Sequence, residues 1–174
     1  MCFSAQLKGK VINMNTIQTD VLVAGAGIAG VKAAYTAAKN GCDVLVITKS
    51  RVTASDFVLG FNAVLSENDS VKLYADDTMS GGGNINNPAL VKALAENSAK
   101  EIAFVEQTGL EFDRENGNYH LLKPLGCSEA RLAHIKNTTG RTTLEKFRQM
   151  AKDAGVKTLD KTMLADIICE NGKV

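Results

Sequence analysis

The sequence predicts an α/β fold with a parallel sheet, and three observations support this prediction. An apolar run at residues 20–24 breaks into glycine at Gly25, which is typical of a buried strand and a tight turn. Residues 28–40 then carry small residues suited to a close-packed helix, and Gly41 holds the usual C-cap position. A second apolar run, residues 44–47, follows at once. A strand, a helix and a strand within about thirty residues form a βαβ unit with parallel strands and a right-handed crossover.

Composition and charge restrict the class of protein. The chain has 174 residues, of which 45% are hydrophobic and 22% charged, as in a soluble globular domain. Twenty basic residues stand against nineteen acidic ones, so the net charge of +1 provides no field that attracts nucleic acid or an anionic membrane. No apolar run approaches the roughly 18 residues of a membrane span, and the first 19 residues do not resemble a signal peptide. We expect no nucleic-acid partner, no direct membrane insertion and a cytoplasmic location.

The four cysteines give no sign of a metal or redox centre. They are far apart and form no C-x-x-C pair. Reduced thiols in a cytoplasmic protein are the simpler interpretation, and we expect no bound metal.

The two ends of the chain are interpreted separately. We expect residues 1–18 to form a flexible N-terminal extension, with a misplaced start before Met14 as the alternative. Residues 163–169 form an apolar run that predicts a strand, and Asn171-Gly172 is a strong hairpin signal. Because a domain rarely stops at the start of a return strand, we expect residues 19–174 to be the N-terminal part of a domain truncated at its C-terminus.

The middle of the chain alternates loops and helices. Residues 48–79 show no sustained period and are predicted to be loop with short elements, with Asp76-Asp77 in a solvated turn. The glycines of residues 80–84 predict a flexible break. Asn87 and Pro88 predict the start of a helix that runs to about Gln107. The predicted apolar stripe of this helix consists of Leu90, Val91, Leu94, Ser98, Ile102 and Val105.

Two further elements are predicted before the C-terminal run. Residues 112–122 resemble a short hairpin that turns at residues 115–118. Residues 142–153 predict a helix with Leu144, Phe147 and Met150 facing inward.

The glycine turn at residues 25–30 is the candidate ligand-binding motif. It matches G-x-G-x-x-G directly after a strand and at the start of a helix, which is the context that indicates a Rossmann-type dinucleotide site. Gly25 allows the tight turn, Gly27 admits a pyrophosphate to the backbone, and Gly30 permits close packing of helix and strand. The alternative is a tight turn with no ligand. The predicted contacts are Gly25, Ala26, Gly27, Ile28, Ala29 and Gly30.

The end of the second strand narrows the choice of dinucleotide. An NAD site ordinarily has Asp or Glu at this place to bind the ribose, but here the strand ends in Thr48-Lys49. The absence of a carboxylate disfavours a standard NAD site, while the lysine imitates an NADP signal.

Several further motifs follow in order along residues 19–174. They are Thr48-Lys49, Gly60-Phe61-Asn62-Ala63, Asp77-Thr78 within the run 77–98, Gly126-Cys127-Ser128, Arg131, His134 and Thr139-Gly140. Together with the glycine turn they resemble the FAD-binding fold of the succinate dehydrogenase and fumarate reductase flavoproteins, a family that includes L-aspartate oxidase. The run 77–98 is most similar to the soluble fumarate reductases.

The resemblance implies FAD as the cofactor and a Rossmann-like fold with an added β-meander or hairpin. It extends the predicted cofactor contacts to Thr48, Lys49, Ser50, Ser55, Gly60, Phe61, Asn62 and Met163. Tyr74 stands where succinate dehydrogenases have the histidine that bonds to the flavin, so it implies non-covalent FAD. Val58-Leu59 departs from the family, which has Gln-Gly there.

The resemblance also implies a reaction. It indicates a flavin-dependent oxidoreductase that acts on a small dicarboxylate by hydride transfer at flavin N5, with room for an electron-transfer partner. The alternatives are an L-aspartate oxidase-like enzyme and a non-catalytic or truncated nucleotide-binding module. The family's catalytic arginine belongs to a later capping domain, so we expect no catalytic residue in this chain and no activity from it alone.

Residues of the second half are implied on the substrate side. Arg131, His134 and Thr139 occupy signature positions and could help hold a carboxylate, with a structural role as the alternative. His120 is expected on an exposed hairpin. The glycines at residues 81–83 are either a loop that closes over the flavin or a plain linker.

Overall fold

A computed structural model describes residues 5–7, 10–12 and 15–169. In chain order the strands are β1 (Ala5–Leu7), β2 (Lys10–Ile12), β3 (Val21–Ala24), β4 (Val44–Ile47), β5 (Phe61–Asn62), β6 (Arg114–Glu115), β7 (Asn118–Tyr119), β8 (Leu121–Leu122), β9 (Leu132–Ala133) and β10 (Lys157–Leu159). The helices are α1 (Ile28–Lys39), α2 (Val71–Gly81), α3 (Pro88–Gln107) and α4 (Thr139–Asp153), with one 3₁₀ turn at Ala54–Phe57. The chain divides into two compact units, residues 1–50 with 151–174, and residues 51–150.

The first unit contains the predicted parallel sheet. Its strand order is β10-β4-β3, and both neighbours of β4 run parallel to it. All four residues of β4 are buried, as expected for a central strand covered on both faces. Helix α1 contacts β3 and β4 and buries Val31 and Ala34, and Gly41 has a φ of +88° just past the helix end. The βαβ prediction is confirmed.

The third strand of this sheet differs from the prediction. The sequence places a strand at residues 163–169, but the third strand is β10, and residues 162–169 form no ladder. The three residues of β10 are exposed, so burial does not require an apolar pattern in them. They form a strand because their backbone pairs with β4. The predicted hairpin turn at Asn171-Gly172 lies outside the described residues.

The N-terminal segment contains one described pair of strands. Strands β1 and β2 form an antiparallel pair with Ala5 opposite Ile12. The sequence gives no sign of this pair, since it treats residues 1–18 as an extension without elements. The flexibility of that extension stays a prediction.

The second unit combines helices with short antiparallel strands. Helices α2 and α3 contact each other, and strands β5, β9 and β8 form a small sheet in that order. The predicted hairpin is confirmed, because β6 pairs with β7 around Asn116 and Gly117, which have φ values of 51° and 84°. Helix α4 begins three residues earlier than the prediction and buries Leu144 and Phe147.

Helix α2 was not predicted, and Asp76-Asp77 lie inside it rather than in a turn. Its only buried residue is Tyr74, so the sequence shows no apolar stripe over this segment. The glycines after it form an ordered C-cap rather than a plain break. Gly83 N–H donates to the Ser80 carbonyl and Asn84 N–H to the Met79 carbonyl, each at 2.9 Å, which is the Schellman pattern.

Helix α3 has the predicted bounds, and most of its predicted stripe is buried, namely Val91, Ser98, Ile102 and Val105. Its N-cap is confirmed, because the Asn87 side chain accepts hydrogen bonds from two backbone N–H groups of the first turn. Leu90 and Leu94 are 69% and 50% exposed, and Ala95 is buried instead. Ala95 is small, so a stripe of large side chains does not predict its burial.

Candidate functional site

The glycine turn of the first unit is tied to the sheet by its first glycine. Gly25 has a φ of +111°, a backbone conformation that residues with a Cβ rarely adopt. Its N–H donates to the carbonyl of Ile47 at 2.8 Å, which joins the turn to the end of β4. The turn therefore needs glycine at this position for conformational reasons.

The other two glycines of the turn, Gly27 and Gly30, lie at the N-terminal end of α1. Gly27 is the N-cap of α1 and provides no side-chain cap, and the first turn contains no acidic residue. The first N–H groups of a helix have no partner within it, and they carry a partial positive charge. A Cβ on Gly30 would lie 2.1 Å from the Gly25 carbonyl oxygen, so close packing excludes any side chain there. A turn of this shape fits an anionic group such as a pyrophosphate.

The residues after β4 lie at the edge of the sheet formed by the carboxyl ends of its strands. Thr48 is buried, and its hydroxyl donates to the Ser50 carbonyl at 2.7 Å, which fixes the bend of the chain. Its backbone pairs with Leu159 and Thr162, and the exposed Met163 comes next. Because the carboxyl ends of parallel strands meet at one edge, these segments gather where α/β sheets bind ligands. Ser50 and Lys49 are exposed there.

In the second unit, two glycines allow backbones to approach closely. A Cβ on Gly60 would lie 2.5 Å from the Ala133 carbonyl oxygen, where β5 pairs with β9. A Cβ on Gly140 would lie 2.1 Å from the Ser55 carbonyl oxygen, at the 3₁₀ turn. Both glycines are therefore required by packing, and they fix the Ser55 and Gly60-Phe61-Asn62 segments that the sequence predicts as cofactor contacts.

Asn62 has a polar atom that this unit leaves unsatisfied. Its Oδ1 is buried and has no hydrogen-bond partner among the described residues. Its backbone carbonyl accepts a hydrogen bond from the Tyr74 hydroxyl at 3.3 Å. A buried acceptor without a donor is unusual, and it fits a site that a ligand completes.

Arg131 is the centre of a buried ion cluster. Its Nε and Nη2 donate to the two carboxylate oxygens of Asp69 at 3.0 and 2.9 Å, and its Nη1 donates to Asp77 at 2.7 Å. Asp77 also accepts from the backbone and hydroxyl of Ser128, each at 2.8 Å. The guanidinium carbon lies 4.8 Å from the centre of the Tyr74 ring. Arg131 has no exposed surface, so the geometry favours the structural role that the sequence left as an alternative.

Thr139 and His134 differ in their polar contacts. The Thr139 hydroxyl accepts from Ile135 N–H at 2.8 Å and donates to the Leu59 carbonyl at 2.6 Å, which again favours a structural role. His134 is buried, and neither ring nitrogen has a hydrogen-bond partner among the described residues, although Nδ1 lies 3.1 Å from Asp113 Oδ2. His120 is exposed and its ring packs edge-on against His134. The substrate-side roles stay predictions.

The pH dependence of stability should report on the Asp77 carboxylate. The hydrogen bond from Ser128 N–H, the Ser128 hydroxyl and Arg131 hold the pKa of Asp77 below its ordinary value of 3.8, although burial opposes them. Because the folded-state pKa is the lower one, the stabilisation is fully present above pH 3.8 and is lost as the pH falls through the folded-state pKa. We expect Asp77→Asn to unfold at a lower temperature than the parent at pH 7, with the difference shrinking in acid. A difference in melting temperature that stays constant down to pH 2 would show that the Asp77 charge is not responsible.

Sequence reasoning missed two members of this cluster. Asp69 was not singled out, and Asp77 was interpreted as solvated because nothing near it in sequence would bury it. The partners of Arg131 lie 62 and 54 residues away, so no local pattern connects them. The Gly126-Cys127-Ser128 motif does contain Ser128, but the contact with Asp77 spans 51 residues.

An open depression of about 810 Å³ is lined by residues 106 and 109–114 with 135 and 136, and it contains no predicted cofactor contact. Among the described residues, no group of three His, Cys, Asp or Glu side chains could hold a metal ion. No helix within the described ranges has the length and apolar character needed to cross a membrane.

The sequence matches one protein family and is similar to several known proteins. Residues 20–174 match the family described as FAD binding domain. The chain is 30% identical over 160 residues to an L-aspartate oxidase of Clostridium acetobutylicum, covering 89% of this chain and 36% of that protein. It is 27% identical over 165 residues to one of the subunits of the fumarate reductase (CoM/CoB) of Methanothermobacter marburgensis, covering 90% of this chain and 30% of that protein.

A solved structure shows the same fold. The chain aligns with an FrdA variant of E. coli quinol fumarate reductase with a TM-score of 0.83 and 25% identity. The alignment covers 91% of this chain and 28% of that one. The chain therefore spans about a third of the length of the curated relatives and structures that it matches.

Proposed function

The chain belongs to the FAD binding domain family matched over residues 20–174, and on this premise we propose that it is the FAD-binding portion of a dicarboxylate oxidoreductase. The observation that carries the proposal is the uncapped N-terminus of α1 behind the turn of Gly25, Gly27 and Gly30. The helix N-terminus gives this turn a partial positive charge, and the glycines let a pyrophosphate approach the backbone N–H groups.

The predicted cofactor contacts are described for each unit by itself. In the first unit, the glycine turn at the N-terminus of α1 would hold the pyrophosphate, and Thr48 shapes the strand end that follows. In the second unit, Gly60 and Asn62 are the predicted contacts, supported by close backbone packing and by the unsatisfied Asn62 oxygen. When bound, the flavin accepts or donates a hydride at N5, and the protein positions it.

The substrate class of the proposal comes from the relatives. Those named above are described as an L-aspartate oxidase and as part of a fumarate reductase, and a C4 dicarboxylate is common to these two reactions. We propose a plain dicarboxylate and keep L-aspartate as the second candidate. The test uses the whole reading frame that contains this chain, assayed for oxidation of a reduced dye by fumarate and for oxidation of L-aspartate. Turnover of neither substrate would contradict the dicarboxylate proposal.

We propose that the FAD is bound without a covalent link, because a phenol at Tyr74 stands where the linkage histidine is expected. Burial raises the pKa of the Tyr74 hydroxyl, although Arg131 partly opposes this, so the phenol stays protonated and is a poor nucleophile at neutral pH. Acid precipitation of the loaded protein should leave the flavin absorbance in the supernatant. Flavin that remains with the washed pellet would contradict this prediction.

A further inference from the structure

The peptide group that joins Asn62 to Ala63 is held at both of its ends. The Asn62 carbonyl accepts a hydrogen bond from the Tyr74 hydroxyl at 3.3 Å, and the Ala63 N–H donates to the Arg131 carbonyl at 2.9 Å. We propose that Tyr74 and Arg131 are positioning residues that fix this peptide group and thereby present the Asn62 side chain to the flavin. The inference rests on the proposed function and adds to it a role for the Tyr74 hydroxyl.

Several contacts hold Tyr74 and Arg131 in place on the side away from the Asn62 side chain. Arg131 lies over the Tyr74 ring, and its guanidinium is held in turn by Asp69 and Asp77. A planar guanidinium stacked on an aromatic face restricts the ring, which restricts the direction of the hydroxyl. The raised pKa of Tyr74 keeps the hydroxyl a donor over the whole neutral range. We therefore expect the carboxylates to act on Asn62 through Arg131 and Tyr74.

The ligand side of the arrangement is an unsatisfied acceptor. Asn62 Oδ1 is buried without a partner among the described residues, although the backbone of the same residue is held by Tyr74. An orphaned buried acceptor is unfavourable unless a donor completes it. The isoalloxazine ring carries one N–H group, which is a donor of the required kind. A fixed backbone with a free side-chain oxygen is the arrangement expected of a preorganised ligand contact.

The test compares two phenol deletions. Tyr74→Phe keeps the ring over Arg131 and removes only the donor to Asn62, while Tyr119→Phe removes a phenol that donates to Glu106 at 2.7 Å in the hairpin region. We expect Tyr74→Phe to exchange its backbone hydrogens at residues 61–64 faster than the parent in the absence of FAD. We also expect FAD affinity to fall about tenfold, the size of one hydrogen bond, and the visible absorbance bands of the bound flavin to shift. Tyr119→Phe should leave the exchange, the affinity and the bands at parental values.

The outcomes separate this inference from the proposed function. Unchanged hydrogen exchange in Tyr74→Phe would show that the hydroxyl does not fix the peptide group, whatever the cofactor does. Faster exchange with parental FAD affinity and spectrum would make the contact purely structural and overturn the positioning role. If the parent itself bound no FAD, the proposed function would fail and the positioning role with it, while the exchange data would still measure the Tyr74 hydrogen bond.

Discussion

Gly27→Val is expected to abolish FAD binding while the protein stays folded. Gly27 has φ −73° and ψ 175°, a conformation open to any residue, so valine introduces no backbone strain. Its side chain would fill the space through which a pyrophosphate reaches the N–H groups at the start of α1. Charge-assisted hydrogen bonds are worth about 1.5 to 3 kcal/mol each, so losing several should lower FAD affinity by several decades. Calorimetric titration with FAD, together with circular dichroism, measures both parts of the prediction.

Gly30→Val is the matched control within the same turn. Its Cβ would lie 2.1 Å from the Gly25 carbonyl oxygen, so the backbone of the turn must shift. We expect this variant to lose thermal stability, in contrast to Gly27→Val. If Gly27→Val kept its circular dichroism and bound FAD like the parent, the pyrophosphate would not lie on this turn.

Arg131→Met is expected to destabilise the protein more than any surface change. It removes the cation between Asp69 and Asp77 and leaves the fully buried Asp69 carboxylate without its partner. Breaking a buried ion pair in this way costs about 3 to 5 kcal/mol, a large part of the 5 to 15 kcal/mol that typically stabilises a domain. Urea denaturation followed by circular dichroism gives the free energy of unfolding.

An exposed ion pair in the same unit provides the control. Lys72 pairs with Asp76 on the surface of α2, where the two side chains are 85% and 58% exposed. Lys72→Met should change the free energy of unfolding by less than about 1 kcal/mol. An equal effect of the two substitutions would contradict the assignment of Arg131 as a structural centre.

The contrast between these features shows what the sequence can predict. The βαβ unit was predictable because its signals are local: a β-branched run, a glycine that requires positive φ, a helix and a C-cap glycine. Helix α2 was not predictable, because Tyr74 is its only buried residue and its sequence therefore shows no apolar stripe. Strand β10 was not, because its place depends on pairing with β4 more than a hundred residues earlier in the chain.

In the candidate site, too, the residues with local sequence signals were predictable and those with distant partners were not. The roles of Gly25, Gly27 and Gly30 follow from their spacing after a strand, and the structure places them at a turn of the expected shape. The partners of Arg131 could not be predicted, since they lie 62 and 54 residues away along the chain. Resemblance alone placed Arg131 on the substrate side, whereas burial and three hydrogen bonds from its guanidinium to carboxylates indicate a structural centre.

We expect this chain to bind FAD in preference to the other dinucleotides. The most direct measurement is a parallel calorimetric titration of the 174-residue protein with FAD, NAD and NADP. We predict saturable binding of FAD and at least a hundredfold weaker binding of NAD, a difference of about 2.7 kcal/mol, because Thr48-Lys49 provides no carboxylate for the NAD ribose. The family match over residues 20–174 predicts the same preference for FAD over NADP, although Lys49 offers a cation to the NADP 2′-phosphate. Tight binding of NADP with no binding of FAD would contradict the claim.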